Sequence, residues 1–118
     1  MNKTSDVLSP KKYYVYVLLS VKDHKLYIGF TTDLIQRIKE HTNGNVTATK
    51  NRLPLKLLHY EYFINQEDAK ARERFLKSGF GREQLKQALK RTLIQYEYKF
   101  LKSDPTRRYI IASTFRVK

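Results

Sequence analysis

The chain has 118 residues, no cysteine, and 24 Lys and Arg against 11 Asp and Glu, a formal net charge of +13. That length suits one domain with a single core, and the missing cysteines exclude disulfides and thiolate metal sites. No apolar run approaches the roughly 20 residues that span a bilayer, and MNKTSDVLSPKK lacks a signal-peptide core, so a cytoplasmic place is expected. The cation excess points to a polyanionic partner, most often nucleic acid phosphate, although charge alone favours binding over chemistry.

Residues 1–11 read as a polar, mobile leader closed by Pro10. In YYVYVLLS, residues 13–20, bulky side chains alternate with period two, which makes a strand. Tyr14, Tyr16 and Leu18 share one side, and Tyr13, Val15, Val17 and Leu19 the other. After the polar Lys22-Asp23-His24-Lys25 comes a second short strand, LYIGF, and the two read as a β-hairpin. Any pairing whose residue numbers sum to an odd value, such as Tyr16 opposite Tyr27, places both tyrosines on one face. Gly29 then marks a close approach to the backbone.

A helix follows, with Thr32 or Asp33 as its N-cap and Asn43-Gly44 as its end. Leu34, Ile35 and Ile38 form its apolar stripe, while Arg37 and His41, four apart, share a face. The polar connection to Pro54 carries Thr49, Lys50, Asn51 and Arg52, groups suited to phosphate contacts on a loop. Residues 55–63, LKLLHYEYF, read as a third strand with Leu55, His59 and Phe63 on the same side. His59 is expected at the sheet margin, not as a metal ligand, because no second ligand sits at suitable spacing.

A second helix is expected from the N-cap Asn65 to Gly79, burying Ala69, Ala71, Phe75 and Leu76. Glu73 falls on the margin of that buried side, four residues before Lys77, which can pair with it or contact phosphate. A third helix is expected from Arg82, with a strand across TLIQYEYKF as the rival reading, and YIIASTFRV reads as a short β-run. The expected fold class is α+β: a small three-stranded sheet, a hairpin plus a third strand, flanked by three helices with a C-terminal β extension. Residues 12–90 would form the working domain, and residues 91–118 an extension without a functional reading.

The Tyr14-Val15-Tyr16 segment, the Tyr27-Ile28-Gly29 segment, Arg37, His41 and Glu73 together resemble the GIY-YIG nuclease family. Within it the chain looks most like small stand-alone members related to the nuclease domain of the bacterial excision-repair incision subunit. It departs at Tyr14, where glycine is usual, and at Val15, where isoleucine is. The asparagine that many larger members carry after the glutamate helix has no clear equivalent in residues 80–90, where Arg82 and Gln84 are the nearest polar groups.

The resemblance implies a metal-dependent DNA endonuclease of repair or recombination, the other reading being a non-catalytic basic module that binds nucleic acid. Tyr16 would be the general base or would orient the water, with a nearby cation lowering its high pKa. Arg37 would supply that cation and grip the phosphate, His41 would share a proton, and Tyr27 would orient a hydroxyl. Glu73 would hold a single Mg²⁺ or Mn²⁺, since Mg²⁺ accepts one or two carboxylates and keeps several waters. No sequence-reading module is evident, so structured, nicked or non-specific DNA is the expected partner, with a second protein supplying any specificity.

Overall fold

The computed structural model describes residues 10–103, with side chains to residue 96; the expected leader and the YIIASTFRV run fall almost wholly outside that range. Strands β1 (Tyr13–Ser20), β2 (Leu26–Thr31) and β3 (Leu55–Phe63) form one antiparallel sheet in the order β2-β1-β3. Four helices accompany it: α1 (Leu34–Thr42), α2 (Gln66–Lys77), α3 (Gly79–Ala88) and α4 (Lys90–Ser103). The fold is therefore α+β, as expected, with one helix more among the described residues than the sequence implied.

The extra helix comes from a joint that periodicity hides. Leu85, Leu89 and Leu93 are all buried and four apart, so the apolar stripe continues across it. At Leu89 the backbone leaves helical values, with φ −100° and ψ 17°. The stretch TLIQYEYKF belongs to α4, which settles its rival readings for the helix. The packing also passes residue 90, since Leu93 and Tyr96 join the main core.

A second difference lies between α2 and α3. Gly79 does not end α2 but begins α3, three residues before the expected start at Arg82. Ser78 serves both helices: it C-caps α2, and its Oγ accepts from the Gly81 amide at 3.1 Å. The sterically demanding glycine is Gly81, where an added Cβ would lie 1.8 Å from the Phe75 carbonyl oxygen.

The two faces of the sheet have different neighbours. Val15, Val17, Leu19 and Ile28 bury against Ala69 and Leu76 of α2 and the leucines of α3 and α4. Tyr16 and Leu18 point the other way, with Leu34 and Ile38 of α1 packed against them. β1 and β2 pair with an odd sum, but Tyr16 lies opposite Gly29 and Tyr27 opposite Leu18. The offset is two residues from the Tyr16–Tyr27 pairing, so both tyrosines still share a face.

Strand β3 does not alternate uniformly. A bulge opposite Val17 and Leu18 leaves Leu58 outside the pairing. Tyr60 and Tyr62 stay on the Tyr16 face, while Phe63 packs with the main core. Beyond the bulge Leu55 joins Tyr16 and Leu18. The expectation that Leu55, His59 and Phe63 share one side is thus corrected, because one extra residue inverts the alternation.

Candidate active site

Tyr16 stands in the middle strand with its side chain buried and laid across Gly29 of β2. A Cβ at position 29 would sit 2.4 Å from the phenol, so glycine there is what lets the ring pass. The Tyr16 Oη lies 2.8 Å from Nε2 of His41, and His41 Nδ1 lies 2.8 Å from Thr49 Oγ1. Both His41 and Thr49 are fully buried, so these three polar groups satisfy one another away from water.

Local structure explains how they meet. Asp33 caps α1 by accepting from the Gln36 amide at 3.2 Å, and His41 falls in the last turn. The chain then turns back, and Thr49 arrives just before the 3₁₀ turn Lys50–Arg52. Arg37 sits one turn before His41 on α1, where its Nη1 donates to Glu40 Oε1 at 2.9 Å. Its charge is held more firmly first by Glu40 and then by the Tyr16 hydroxyl. The Tyr27 ring lies edge-on to His41 at 5.2 Å between centroids, and 6.4 Å from Tyr16.

Glu73 comes from α2, with its side chain only 17% exposed and Oε2 accepting from Lys77 Nζ at 2.9 Å. The anticipated pair four residues apart is therefore present. The Glu73 carboxylate is nevertheless close enough to Tyr16 for its charge to oppose ionisation of the phenol.

The electrostatics differ in sign from the sequence expectation. Burial pushes the Tyr16 pKa up, the neighbouring Tyr27 and Glu73 add to the rise, and Arg37 only partly offsets them. Tyr16 is thus a protonated phenol at neutral pH. Burial, and then the charge of Arg37, lowers the His41 pKa to about 4. The imidazole is neutral near pH 7, and one of its nitrogens is free to accept a hydrogen bond.

The expected phosphate contacts separate into three kinds. Thr49 is buried behind His41, so its hydroxyl faces the imidazole and not the solvent. Arg52 is engaged by Asp23, with Nε donating to Oδ2 at 2.7 Å, and by the Lys25 carbonyl at 3.2 Å. Lys50 and Asn51 are exposed, and so is Lys77 beside Glu73. His59 Nε2 donates to Glu61 Oε2, 2.9 Å away, a carboxylate also bound by Arg72. It lies on the face opposite Tyr16, in keeping with its expected place outside the site.

Among the described residues there is no group of three or more His, Asp and Glu side chains arranged to hold a metal. A single largely sheltered carboxylate, Glu73, is close enough to act on Tyr16. That donor set suits one hard cation that keeps several waters and completes its shell with substrate oxygens.

Sequence reading missed the role of Thr49 and the exposure of Tyr60 and Tyr62. Thr49 lies eight residues from His41 across an irregular turn, where no periodicity connects them. The tyrosines were readable, since they alternate with Glu61 in β3.

Comparison with known proteins gives the family. The model of the GIY-YIG catalytic domain matches residues 12–87. A UPF0213 protein of Clostridium perfringens is 45% identical over 65 residues, covering 54% of this chain and 69% of its own. A UPF0213 protein of Pediococcus acidilactici is 41% identical over 81 residues, covering 66% of this chain and 82% of its own. One from Streptococcus pyogenes serotype M3 is 42% identical over 78 residues, covering 65% and 84%. No solved structure matches significantly. The chain belongs to the GIY-YIG family of nuclease-type catalytic domains.

Proposed function

We propose that this protein is a divalent-metal-dependent endonuclease that hydrolyses DNA phosphodiester bonds, serving repair or recombination. The reading is carried by the Tyr16 hydroxyl, on which four other candidate residues act. His41 is hydrogen-bonded to it, Arg37 favours its ionised form, and the charges of Tyr27 and Glu73 reach it.

Hydrolysis requires removal of a proton from water and stabilisation of charge on the phosphate. Tyr16, protonated at rest, takes the water proton only as its own proton leaves, and His41 Nε2 is the acceptor at 2.8 Å. Thr49 fixes the imidazole by accepting from Nδ1–H, which keeps Nε2 open. An imidazole with a pKa of about 4 is a weak base in the free protein. The negative phosphate of an arriving strand counters the charge of Arg37 and moves His41 toward its working range. Arg37 meets the non-bridging oxygens with its fork of donors, and Tyr27 orients the hydroxyl or the water.

Glu73 is the residue that would hold a single Mg²⁺ or Mn²⁺. Bound there, such an ion would supply positive charge as the phosphate accumulates negative charge. The DNA engaged is structured or nicked, with specificity lent by a partner protein. A cytoplasmic place belongs to the same proposal. Among the described residues no helix is long and apolar enough to cross a membrane.

The test is incubation with supercoiled, branched and single-stranded DNA in Mg²⁺, in Mn²⁺ and in chelator. Divalent-dependent nicking is expected, falling at least ~100-fold in Arg37→Ala and Glu73→Ala while the fold persists. Cleavage retained by both variants would remove the site assignment. A wild-type protein that binds DNA but nicks nothing under any condition would leave a non-catalytic binding module on this fold.

A further inference from the structure

The Tyr16 face of the sheet extends beyond the catalytic cluster. In the register, Tyr16 lies opposite Tyr60 and Tyr14 opposite Tyr62, so four tyrosines of β1 and β3 share one face. Tyr14 sits between the other two outer rings, 6.1 Å from each centroid and tilted 55° and 57°. Tyr60 and Tyr62 are each 51% exposed, and β3 is an edge strand. Together with Tyr14 they make one contiguous, half-exposed aromatic surface, and such a surface marks an interaction site.

Three observations identify the occupant. The face is continuous with the catalytic cluster, because Tyr16 belongs to both. Lys12 Nζ stands 5.0 Å from the Tyr62 ring centroid, so a cation accompanies the aromatic surface. A hollow of about 320 Å³ opens between Tyr14, Tyr60 and the start of α1, lined by Leu34, Ile35, Asp33, whose Oδ1 already accepts from the Gln36 amide, and Thr32, whose hydroxyl can accept. Flat apolar rings, a neighbouring cation and a slot with an acceptor suit nucleobases attached to a phosphate backbone. A second copy of this chain suits the face less well, since it would bring one +13 protein against another.

We propose that Tyr14, Tyr60 and Tyr62 stack unpaired bases of the strand whose backbone enters the Tyr16 cluster. The substrate class is then DNA with single-stranded or locally unpaired nucleotides beside the cleaved bond, not fully paired duplex. This inference rests on the reading of the protein as a DNA-acting one. Base–aromatic stacking tolerates any sequence, which matches a chain without a sequence reader.

The test measures fluorescence anisotropy of a short labelled single strand and of the same sequence as a duplex, in chelator so that nothing is cut. The wild type should prefer the single strand. Tyr60→Ala and Tyr62→Ala should each weaken single-strand binding roughly 5- to 150-fold and change duplex binding little. Tyr60→Phe and Tyr62→Phe keep the ring and should bind like the wild type, and circular dichroism should show all four variants folded. Alanine variants that bind the single strand as the wild type does would overturn the proposal. Equal losses on both DNA forms, or phenylalanine variants as weak as alanine ones, would do the same. So would a wild-type dimer in sedimentation that the alanine variants dissolve, because the face would then belong to self-association. Binding is read here without metal or cleavage, so this test and the nicking test can fail independently.

Discussion

The two faces of β1 are built from alternate residues of one strand, yet they do different work. Val15, Val17 and Leu19 bury completely against Ala69 and Leu76, an apolar layer with the His59, Glu61 and Arg72 network at its β3 margin. One residue away, Tyr16 is equally buried but holds its hydroxyl against His41, and His41 against Thr49. The first face gains free energy roughly in proportion to area removed from water. The second retains polar groups that must satisfy one another, and any loss there leaves a buried orphan. Period two therefore lets a single strand anchor the fold on one side and carry a buried polar cluster on the other.

The largest effect expected from breaking this division is on the apolar face. Leu76→Ala removes a fully buried side chain between α2 and the sheet and should cost about 2 to 5 kcal/mol. Denaturant unfolding checks the loss. If the nuclease reading holds, the activity of the molecules that remain folded should keep its pH profile, since Leu76 packs in the apolar cluster that holds neither Tyr16 nor His41. A shifted profile would show that the faces are coupled.

Acid should strain the other face. His41 has a folded-state pKa of about 4 against 6.5 for a free imidazole, so as pH falls the unfolded chain takes its proton first. Stability is then lost from about pH 6.5 down to about 4, in total about 3 kcal/mol from this one group. Carboxylates complicate the lower part of that range. Burial works against Asp23 and Glu61, but it is outweighed by the sum of several neighbours, Arg52, the Lys25 amide and Ser20 at Asp23 and Arg72 and His59 at Glu61, which hold both below their usual values. Their protonation adds losses at lower pH. The clean window is therefore above about pH 5, where thermal melting of the wild type should fall with pH and that of His41→Gln should stay nearly flat.

A smaller effect is expected at Thr49. Thr49→Val keeps the shape but leaves His41 Nδ1 without its partner in a buried place, a cost of about 1 to 3 kcal/mol. Thr49→Ser restores the hydroxyl and should recover most of it. If the nuclease reading holds, Thr49→Val should also move the pH dependence of nicking while the serine variant does not. Equal stability and equal profiles in both variants would reduce Thr49 to filler.

The apolar face was largely readable from the sequence, because burial of apolar residues leaves a period in the chain. Alternation located all three strands, and the caps Asp33 and Asn65 located two helices. Where a period is interrupted by one residue, it misleads. The bulge at Leu58 sends Leu55 and Phe63 to different faces, and the joint at Leu89 is invisible because the leucine spacing runs through it. On the polar face the resemblance, not a period, picked out Tyr16, Tyr27 and His41, which the structure brings together. The energetics of that face were not readable. The sign of the Tyr16 shift depends on how deeply the ring is buried, and the Thr49 contact depends on the path of an irregular loop.

Lys77 tests how the two faces are joined at Glu73. Its Nζ pairs with Glu73 Oε2 at 2.9 Å, but the lysine side chain is 50% exposed, so the pair adds only a few tenths of a kcal/mol to the helix. Lys77→Ala should therefore leave unfolding almost unchanged. If the nuclease reading holds, its effect on metal dependence should be larger than its effect on stability. In the free protein the ammonium occupies the carboxylate that a divalent ion would use, and the two cations exclude each other by charge. Removing the ammonium should lower the Mg²⁺ concentration needed for half-maximal nicking, whereas a lysine that serves only to contact phosphate would, when removed, weaken DNA binding at every Mg²⁺ concentration. A Mg²⁺ titration of nicking beside a metal-free DNA-binding curve separates the two. An unchanged Mg²⁺ requirement together with weaker binding would place Lys77 with the DNA and leave Glu73 unguarded.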